Sequence, residues 1–525
     1  MIGDQPASGV EVMLRQTGSG GTIVIAGFEP SAPITSTTDA EGRYKITGVA
    51  VGGYRIAAYA PAYVVAGESR NRFDPGKALN IAEGENIENV DFALTRGAVV
   101  TGKVTDEYGK PVIAEAVSVH RVDDSGKRIS QNAPNFTRWE TDDRGVYRIF
   151  GLEPGRYLVS AGASSEDATV RAIGGAGGFY QRTFHPDAVE EAQAKIIELK
   201  SGAEAESIDI RIARAKKGYV ATGRVIESET GKPVPGVMLG YSIVKKTMTS
   251  FGMGNSITNS LGEFRLEGLS PNTYTVSVFN VGQSDLYSEP ATFEIVGGDV
   301  TGIEIRMSRG SQISGTAMVE GTRDPAVLAN LTRIQVSARN VQRDQATMMM
   351  SSGGTTIGAN GAFSVGGVRP GKVQLFANTF AAKGFSLIRI EHNGVEVKDL
   401  DAVPGEPITG VRLVFAYGNA VVAGRVEIKG GVLPPGTRLM VLIRRESEAS
   451  GGIPSLIRPA EVDNRGQFLI EGLAQGSYKL SLSAFNPDLG APPKIPKVEQ
   501  VVTVSGNARQ EVSLTLDLSQ KEGEK

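Results

Sequence analysis

The side chains that most often carry catalysis or bind metals are scarce in this sequence. It contains no cysteine and only three histidines, His120, His185 and His392, which lie in unrelated contexts. Neither the His-Glu-x-x-His pattern of zinc peptidases nor a Gly-x-Ser-x-Gly nucleophile elbow occurs. We therefore interpret the histidines as scattered surface residues. The sequence predicts no catalytic, metal-binding or cofactor-binding site, and no enzymatic activity.

Acidic residues do recur at a fixed spacing. Asp39, Asp142 and Asp463 each precede a glycine by three residues, and Asn259 holds this place in a further copy. Calcium needs six to eight oxygen ligands, which asparagine and the Gly-Ala-Asn-Gly of residues 358–361 would not supply. Asp and Asn also bond their own backbone two residues on, and glycine accepts a positive φ. The pattern therefore predicts tight turns rather than calcium sites.

The aromatic residues offer one candidate ligand site. Carbohydrate binding requires exposed rings that stack on sugars, and the insertion at residues 164–186 holds Phe179, Tyr180 and Phe184 beside glycines. A glycine-flanked aromatic loop can form a binding tip, although such loops more often fold onto their own domain. These three residues are the candidate ligand-binding set. The single tryptophan, Trp139, precedes a turn and fits either a strand position or a stacking platform.

The other aromatic residues follow a repeat that decides the architecture. A glycine is followed by a ring at plus two, a second glycine at plus six and a second ring at plus twelve. The five copies are Gly42/Tyr44/Gly48/Tyr54, Gly145/Tyr147/Gly151/Tyr157, Gly262/Phe264/Gly268/Tyr274, Gly361/Phe363/Gly367/Val373 and Gly466/Phe468/Gly472/Tyr478. Only the fourth copy replaces the second ring. Because the rings keep their spacing from the turns, we predict that they fill the cores of five similar domains.

Each copy also ends in an alternating segment, such as residues 90–94, 208–212 and 303–307. Period-two alternation indicates strands with one buried face. Turn signals every 8 to 12 residues over domains of about 100 residues predict an all-β fold of five tandem antiparallel, immunoglobulin-like β-sandwiches, with about seven strands each. The predicted domains are residues 1–97, 98–218 (with the aromatic insertion), 219–311, 312–419 (divergent) and 420–525 (with a charged tail).

The first copy begins inside this pattern. Later copies open with a strand such as residues 99–104 before the Gly-Lys-Pro turn, whereas residues 4–10 already align with that turn. We expect a missing opening strand and an N-terminal segment that could hold a signal peptide, although no such peptide is visible after Met1.

Overall charge and hydropathy exclude several partners. The 55 basic and 58 acidic residues give a formal net charge of -3, which predicts neither nucleic acid nor an anionic membrane as partner. No stretch approaches the roughly 20 apolar residues of a membrane span.

The turns resemble a known family. Gly109-Lys-Pro111, Thr141-Asp-Asp-Arg-Gly145-x-Tyr147 and Gly151-Leu-x-Pro-Gly155-x-Tyr157 are similar to the carboxypeptidase regulatory-like domain, a transthyretin-like (prealbumin-like) sandwich related to collagen-adhesin B-type and starch-binding-like modules. The resemblance covers essentially the whole chain. It implies an exported or cell-envelope protein of bacteria and no peptidase activity.

Collagen-adhesin relatives often form an internal Lys–Asn isopeptide bond. Lys103 stands where a donor would, but Arg224 and Arg425 hold the equivalent places. We therefore predict that this bond does not form.

The sequence thus predicts a non-enzymatic, exported spacer or interaction scaffold at the bacterial cell envelope, with a carbohydrate or another envelope protein as candidate partner. Short linkers would hold five domains in a line on the order of 150 to 200 Å long. Two alternatives are a carbohydrate-binding protein of starch-binding-like fold, and the accessory region of a larger enzyme or outer-membrane receptor.

Overall fold

The computed structural model describes residues 1, 5–17, 32–65, 76–129, 139–162, 180–213, 218–244, 250–279, 285–341, 354–379, 381–434, 436–446, 459–486, 493–506 and 508–519. Over these ranges the chain consists mainly of β-strands, with one short α-helix, α1 (Pro325–Leu328), and 3-10 turns at Glu191–Gln193 and Ala329–Arg333. This confirms the all-β prediction. No helix of the described ranges is long and apolar enough to span a membrane.

The strands fall into five consecutive groups, which we call repeats 1 to 5. Repeat 1 contains β1 (Glu11–Gln16), β2 (Ile34–Thr37), β3 (Gly52–Tyr59), β4 (Tyr63–Val65), β5 (Lys77–Ile81) and β6 (Leu94–Arg96). Repeat 2 contains β7 (Ala98–Thr105), β8 (Ala116–Val122), β9 (Trp139–Glu140), β10 (Val146–Leu152), β11 (Gly155–Ala161), β12 (Thr183–Phe184), β13 (Ile197–Leu199), β14 (Glu204–Ala205) and β15 (Ile210–Arg211).

Repeats 3 to 5 follow the same plan with longer closing strands. Repeat 3 contains β16 (Tyr219–Glu227), β17 (Met238–Ile243), β18 (Ser250–Ile257), β19 (Glu263–Leu269), β20 (Asn272–Phe279), β21 (Leu286–Ser288), β22 (Ala291–Ile295) and β23 (Val300–Arg309). Repeat 4 contains β24 (Ser311–Glu320), β25 (Gln335–Asn340), β26 (Gly354–Thr356), β27 (Ala362–Val368), β28 (Gly371–Asn378), β29 (Phe385–His392), β30 (Val395–Val397), β31 (Leu400–Ala402) and β32 (Ile408–Tyr417). Repeat 5 contains β33 (Ala420–Lys429), β34 (Arg438–Arg445), β35 (Ala460–Glu461), β36 (Gln467–Leu473), β37 (Gly476–Phe485), β38 (Glu499–Val504) and β39 (Arg509–Asp517).

Repeats 2 to 5 each contain two main sheets. In repeat 3 the strand orders are β19-β16-β23-β21 and β18-β17-β20-β22, and in repeat 5 they are β36-β33-β39 and β35-β34-β37-β38. Most neighbouring strands are antiparallel, as predicted. The exception is the opening strand, which pairs in parallel with the closing strand of its own domain: β7 with β14 and β15, β16 with β23, β24 with β32 and β33 with β39.

The motif rings fill the cores between the sheets. Tyr147, Tyr274, Phe468 and Tyr478 are at most 1% exposed, and Val373 of the divergent copy is fully buried. A buried tyrosine needs a partner for its hydroxyl. The second-ring tyrosines find one locally, because their Oη atoms donate to the carbonyl oxygens four residues earlier, at Ala50, Glu153, Ser270 and Ala474.

Repeat 1 departs from the prediction. Residues 90–93 were expected to continue a closing strand into Leu94, and residues 43–47 carry the hairpin pattern, yet neither run is a strand. In repeat 2 the equivalent segments, β10 and β15, both bond to the opening strand β7. Among the described residues of repeat 1, no strand pairs with either run, and Tyr44 is only half-buried.

Candidate functional site

The predicted aromatic site is only partly described. Phe179 lies outside the described residues. Phe184 is only 3% exposed and packs with Val122 and Leu158, so its ring has no free face for a sugar. Tyr180 is half-buried against the core of repeat 2. Binding by this loop stays a prediction, and of its two described rings only Tyr180 keeps part of its surface exposed.

The prediction that the histidines are scattered surface residues fails for His185 and for the buried ring nitrogen of His120. His185 is 6% exposed, and its Nδ1 lies 2.6 Å from the carbonyl oxygen of Asp209, which ties the insertion to β15. The Nε2 atom of His120 is buried. The residue as a whole is partly exposed, as is His392 at the end of β29. His120 lies opposite Leu158 between paired strands, and the long-range contact of His185 is to Asp209, which sequence spacing alone could not reveal.

Burial makes His120 sensitive to acid. Desolvation, followed by the nearby Arg128 and Arg182, lowers the pKa of His120 from 6.5 to about 3. An unfolded chain therefore takes up a proton between about pH 6.5 and 3 while the folded chain does not, so stability falls as pH drops. We expect repeat 2 to be about 2 kcal/mol less stable at pH 5 than at pH 7.

Trp139, the only tryptophan of the chain, packs in repeat 2 with its ring 5.1 Å from that of Phe150. Urea unfolding followed by its fluorescence therefore measures this repeat. His120→Phe keeps the ring but cannot be protonated and should flatten the profile between pH 5 and 7. An unchanged slope in that variant would contradict the assignment.

The Asp-x-x-Gly hairpins form the predicted turns. Asp142 Oδ1 accepts from the backbone nitrogens of Arg144 and Val146 at 2.9 and 2.7 Å, and Asn259 Oδ1 accepts from Leu261 and Glu263 at 2.9 Å each. Gly145 has a φ of 73°. The described residues include no cluster of histidine and acidic side chains that could hold a metal ion.

The fifth hairpin has a second role. Asp463 makes the same turn, but its side chain is only 1% exposed, against 38% for Asp142. Its Oδ2 accepts from the backbone nitrogen of Asn80 in repeat 1, at 3.2 Å. The Asn80 amide donates back to the carbonyl oxygens of Glu461 and Gln467, at 3.0 and 2.9 Å. The Asp463 hairpin of repeat 5 is thus hydrogen-bonded to strand β5 of repeat 1.

Charged groups reinforce this contact. Arg465 donates to Glu85 Oε1 and to the Asn80 carbonyl oxygen at 2.6 Å each, while still pairing with Asp463 at 2.8 Å. Arg55 of β3, only 5% exposed, forms an ion pair with Glu461 and donates to the Gly76 carbonyl oxygen at 2.9 Å. We call this surface between β3–β5 and β35–β36 the closure contact.

A cleft of about 410 Å³ opens beside the closure contact. Gly76, Lys77 and Ala78 line one wall, and residues of repeat 5, among them Leu433 and Arg438, line the other. Charges of both signs and apolar side chains are mixed there. The charge of the lining therefore does not indicate any one class of ligand.

Other junctions are also packed. Arg369 of repeat 4, 6% exposed, donates to the Ser288 carbonyl oxygen of repeat 3, lies 3.6 Å from Glu289 and sits over the Tyr287 ring. Lys383 of repeat 4 pairs with Glu471 of repeat 5 at 2.9 Å. Burial first, and then Glu471, raises the pKa of Tyr54 in repeat 1. The carboxylate of Glu471 in repeat 5 therefore lies near both Lys383 of repeat 4 and Tyr54 of repeat 1.

These contacts overturn the predicted linear array. Repeats 1 and 5 touch, so the five domains do not lie in a line. Short linkers limit swivelling, but they do not fix the angle between successive domains. The only sequence signal for the contact between repeats 1 and 5 was Arg465, at the third position of the fifth hairpin. That signal was insufficient, because Arg144 holds the same position in the second hairpin and its side chain is 76% exposed.

Comparisons with known proteins support no closer assignment. No protein-family model and no curated protein sequence matches the chain. Among solved structures, the Bacillus anthracis TIE protein is 11% identical over 82% of this chain and 76% of its own, with a TM-score of 0.16. A Streptococcal ancillary pilin is 12% identical over 61% and 99%, with a TM-score of 0.21. The shaft pilin SpaA from Lactobacillus rhamnosus GG is 15% identical over 41% and 98%, with a TM-score of 0.19. At these identities and TM-scores, the likenesses carry no inference about function.

Proposed function

We propose that the protein is a non-enzymatic scaffold of the bacterial cell envelope whose five sandwiches form one closed body. The closure contact carries this proposal. A contact between the first and last domains shortens the array, which does not serve a spacer. The same contact holds the loops of a scaffold at fixed relative positions. The resemblance to carboxypeptidase regulatory-like domains supports an exported location.

The polar groups of the contact favour a structural role over catalysis. Asp463 accepts four bonds within its own hairpin and a fifth from Asn80, and Arg465 donates to three residues, Asp463, Glu85 and Asn80. The bonds to Asn80 and Glu85 oppose separation of repeats 1 and 5.

Small-angle scattering tests the closed arrangement. If domains with a radius of gyration of about 13 Å are spaced roughly 35 Å apart, five of them in a closed ring have an overall radius of gyration of about 33 Å. Five in a line have one of about 50 Å. We expect the smaller value for the single chain. A radius near that of the line would refute the proposal. Location is tested separately by fractionating the producing cells, where recovery in the cytosol alone would contradict it.

A further inference from the structure

The closing strand of repeat 5, β39, has no pairing strand on its outer side within the described residues. Its sheet has the order β36-β33-β39, whereas β21 and β29 flank the closing strands of repeats 3 and 4 on that side. In repeat 2 a backbone segment meets the same side, because the Arg211 nitrogen donates to the Pro186 carbonyl oxygen at 2.9 Å. We call the outer side of residues 509–517 the β39 edge.

The segment that flanks the closing strand in repeats 3 and 4 is unsuited to this in repeat 5. It corresponds to residues 486–498, which carry prolines at positions 487, 492, 493 and 496. Proline cannot donate to a strand ladder, and the described part of the segment, residues 493–498, contains no strand. The sequence of repeat 5 therefore predicts no strand of its own for the β39 edge.

The backbone of the β39 edge is open at every second residue. The Ala508 carbonyl oxygen and the Leu518 nitrogen both bond to β33, at 3.1 and 2.8 Å. Even-numbered residues of the strand therefore face β33, and the backbone groups of Glu511, Ser513 and Thr515 point outwards. Many edge strands are protected by lysine, proline or a bulge. β39 contains neither residue, and its register with β33 is unbroken over nine residues.

The charges of β39 are complementary to those of a second β39. If two copies pair antiparallel about Ser513, Arg509 of each copy lies opposite Asp517 of the other, and Glu511 lies opposite Thr515. Moving the centre one residue towards the C-terminus would place Glu511 opposite Asp517, and like charges directly opposite are destabilising. Moving it one residue the other way would lose the Arg509–Asp517 pairs. A centre at Ser513 thus gives two opposite-charge pairs and no like-charge pair.

The contacts of repeat 5 with other repeats lie at the opposite edge of the same sheet. Asn80 of repeat 1 donates to the Gln467 carbonyl oxygen of β36 at 2.9 Å, and Lys383 of repeat 4 pairs with Glu471 of β36 at 2.9 Å. The side chain of Ser513 is exposed. The closure contact and the β39 edge can therefore be occupied at the same time.

We propose that the β39 edge is a dimerisation surface, at which β39 pairs antiparallel with β39 of a second copy about a two-fold axis at Ser513. The two three-stranded sheets then join edge to edge into one continuous sheet. Such a contact uses the same surface on both copies and closes on itself, so association stops at the dimer. The dimer joins two scaffolds through their fifth repeats.

Sedimentation equilibrium of the full chain, from about 1 µM to about 0.5 mM, tests the pairing. We expect a monomer–dimer equilibrium, with amide hydrogen exchange of residues 509–517 that slows as the dimer forms. Ser513→Pro removes an outward N–H without breaking a bond to β33, so it should abolish the dimer and keep the native circular dichroism. The matched control is Val501→Pro, at an outward-facing, 52% exposed position on the edge strand β38 of the other sheet. It should leave the dimer intact.

Exchanging the charges tests the register separately. Arg509→Asp places like charges opposite each other twice in the dimer and should weaken it about tenfold. Asp517→Arg should have a similar effect. The double variant restores opposite charges in the same register, so it should restore the dimer.

Three results would overturn the proposal. They are a chain that stays monomeric over the whole concentration range, a dimer that survives Ser513→Pro, and a double charge exchange that leaves the chain monomeric. None of these substitutions touches the closure contact, so the radius of gyration of the single chain should stay the same in every variant.

Discussion

Replacing Arg55 and Arg465 together by alanine is expected to open the closure contact and raise the radius of gyration from about 33 Å towards about 50 Å. The Arg55–Glu461 pair is largely buried, at 6% and 17% exposure of the two side chains. Removing one partner of a buried pair typically costs about 3–5 kcal/mol, because the remaining charge is left uncompensated. Loss of Arg465 adds the bonds to Glu85 and Asn80. Scattering at several protein concentrations measures the change.

Repeat 2 supplies a matched control. Arg144 is the hairpin equivalent of Arg465, and Arg148 pairs with Glu204 on an exposed strand face. Exposed pairs of this kind contribute about 0–1 kcal/mol, so Arg144→Ala with Arg148→Ala should leave the radius unchanged. Glu461→Ala opens the same contact without touching repeat 1. If neither interface variant expands while its circular dichroism stays native, the contact does not hold the ends together.

Gly102→Ala is expected to destabilise repeat 2 by about 3 kcal/mol or more. The added methyl group would lie 2.2 Å from the Ile208 carbonyl oxygen and 2.5 Å from its carbon. These are backbone atoms of the neighbouring chain segment, so no side-chain rotation relieves the overlap and the sheet must separate. Urea unfolding monitored through Trp139 fluorescence should show an earlier transition.

The control is Gly297→Ala, in the loop between β22 and β23. This glycine has no neighbour within 4 Å of an added Cβ and no positive φ. Its replacement should change the stability of repeat 3 by less than about 0.5 kcal/mol, as followed by circular dichroism, because Trp139 reports on repeat 2. A Gly102→Ala protein that unfolds at the wild-type urea concentration would show that the opening strand can move away from the closing strand at little cost.

The repeated motif illustrates what could be predicted. The Asp-x-x-Gly turns, the buried rings and the substitution by Val373 follow from local bonding and apolar filling, and they are present as expected except at Tyr44, which is only half-buried. The error in repeat 1 is instructive, since residues 90–93 alternate as well as any closing strand. Alternation of apolar and polar residues indicates which face of a strand would be buried. A strand also needs a pairing strand for its backbone hydrogen bonds, and that partner is distant in sequence.

By itself, the sequence determined the all-β class and the tandem sandwiches, because turns and period-two patterns depend on residues that are near one another in the chain. Only the tertiary structure decided that Asp463 and Arg465 hold repeat 1 and that His185 is buried against the Asp209 carbonyl oxygen. The first depends on how whole domains approach each other, and that approach brings together residues about 380 positions apart, such as Asn80 and Asp463. Hairpins with nearly the same residues, at Asp142 and Asp463, therefore acquire different roles.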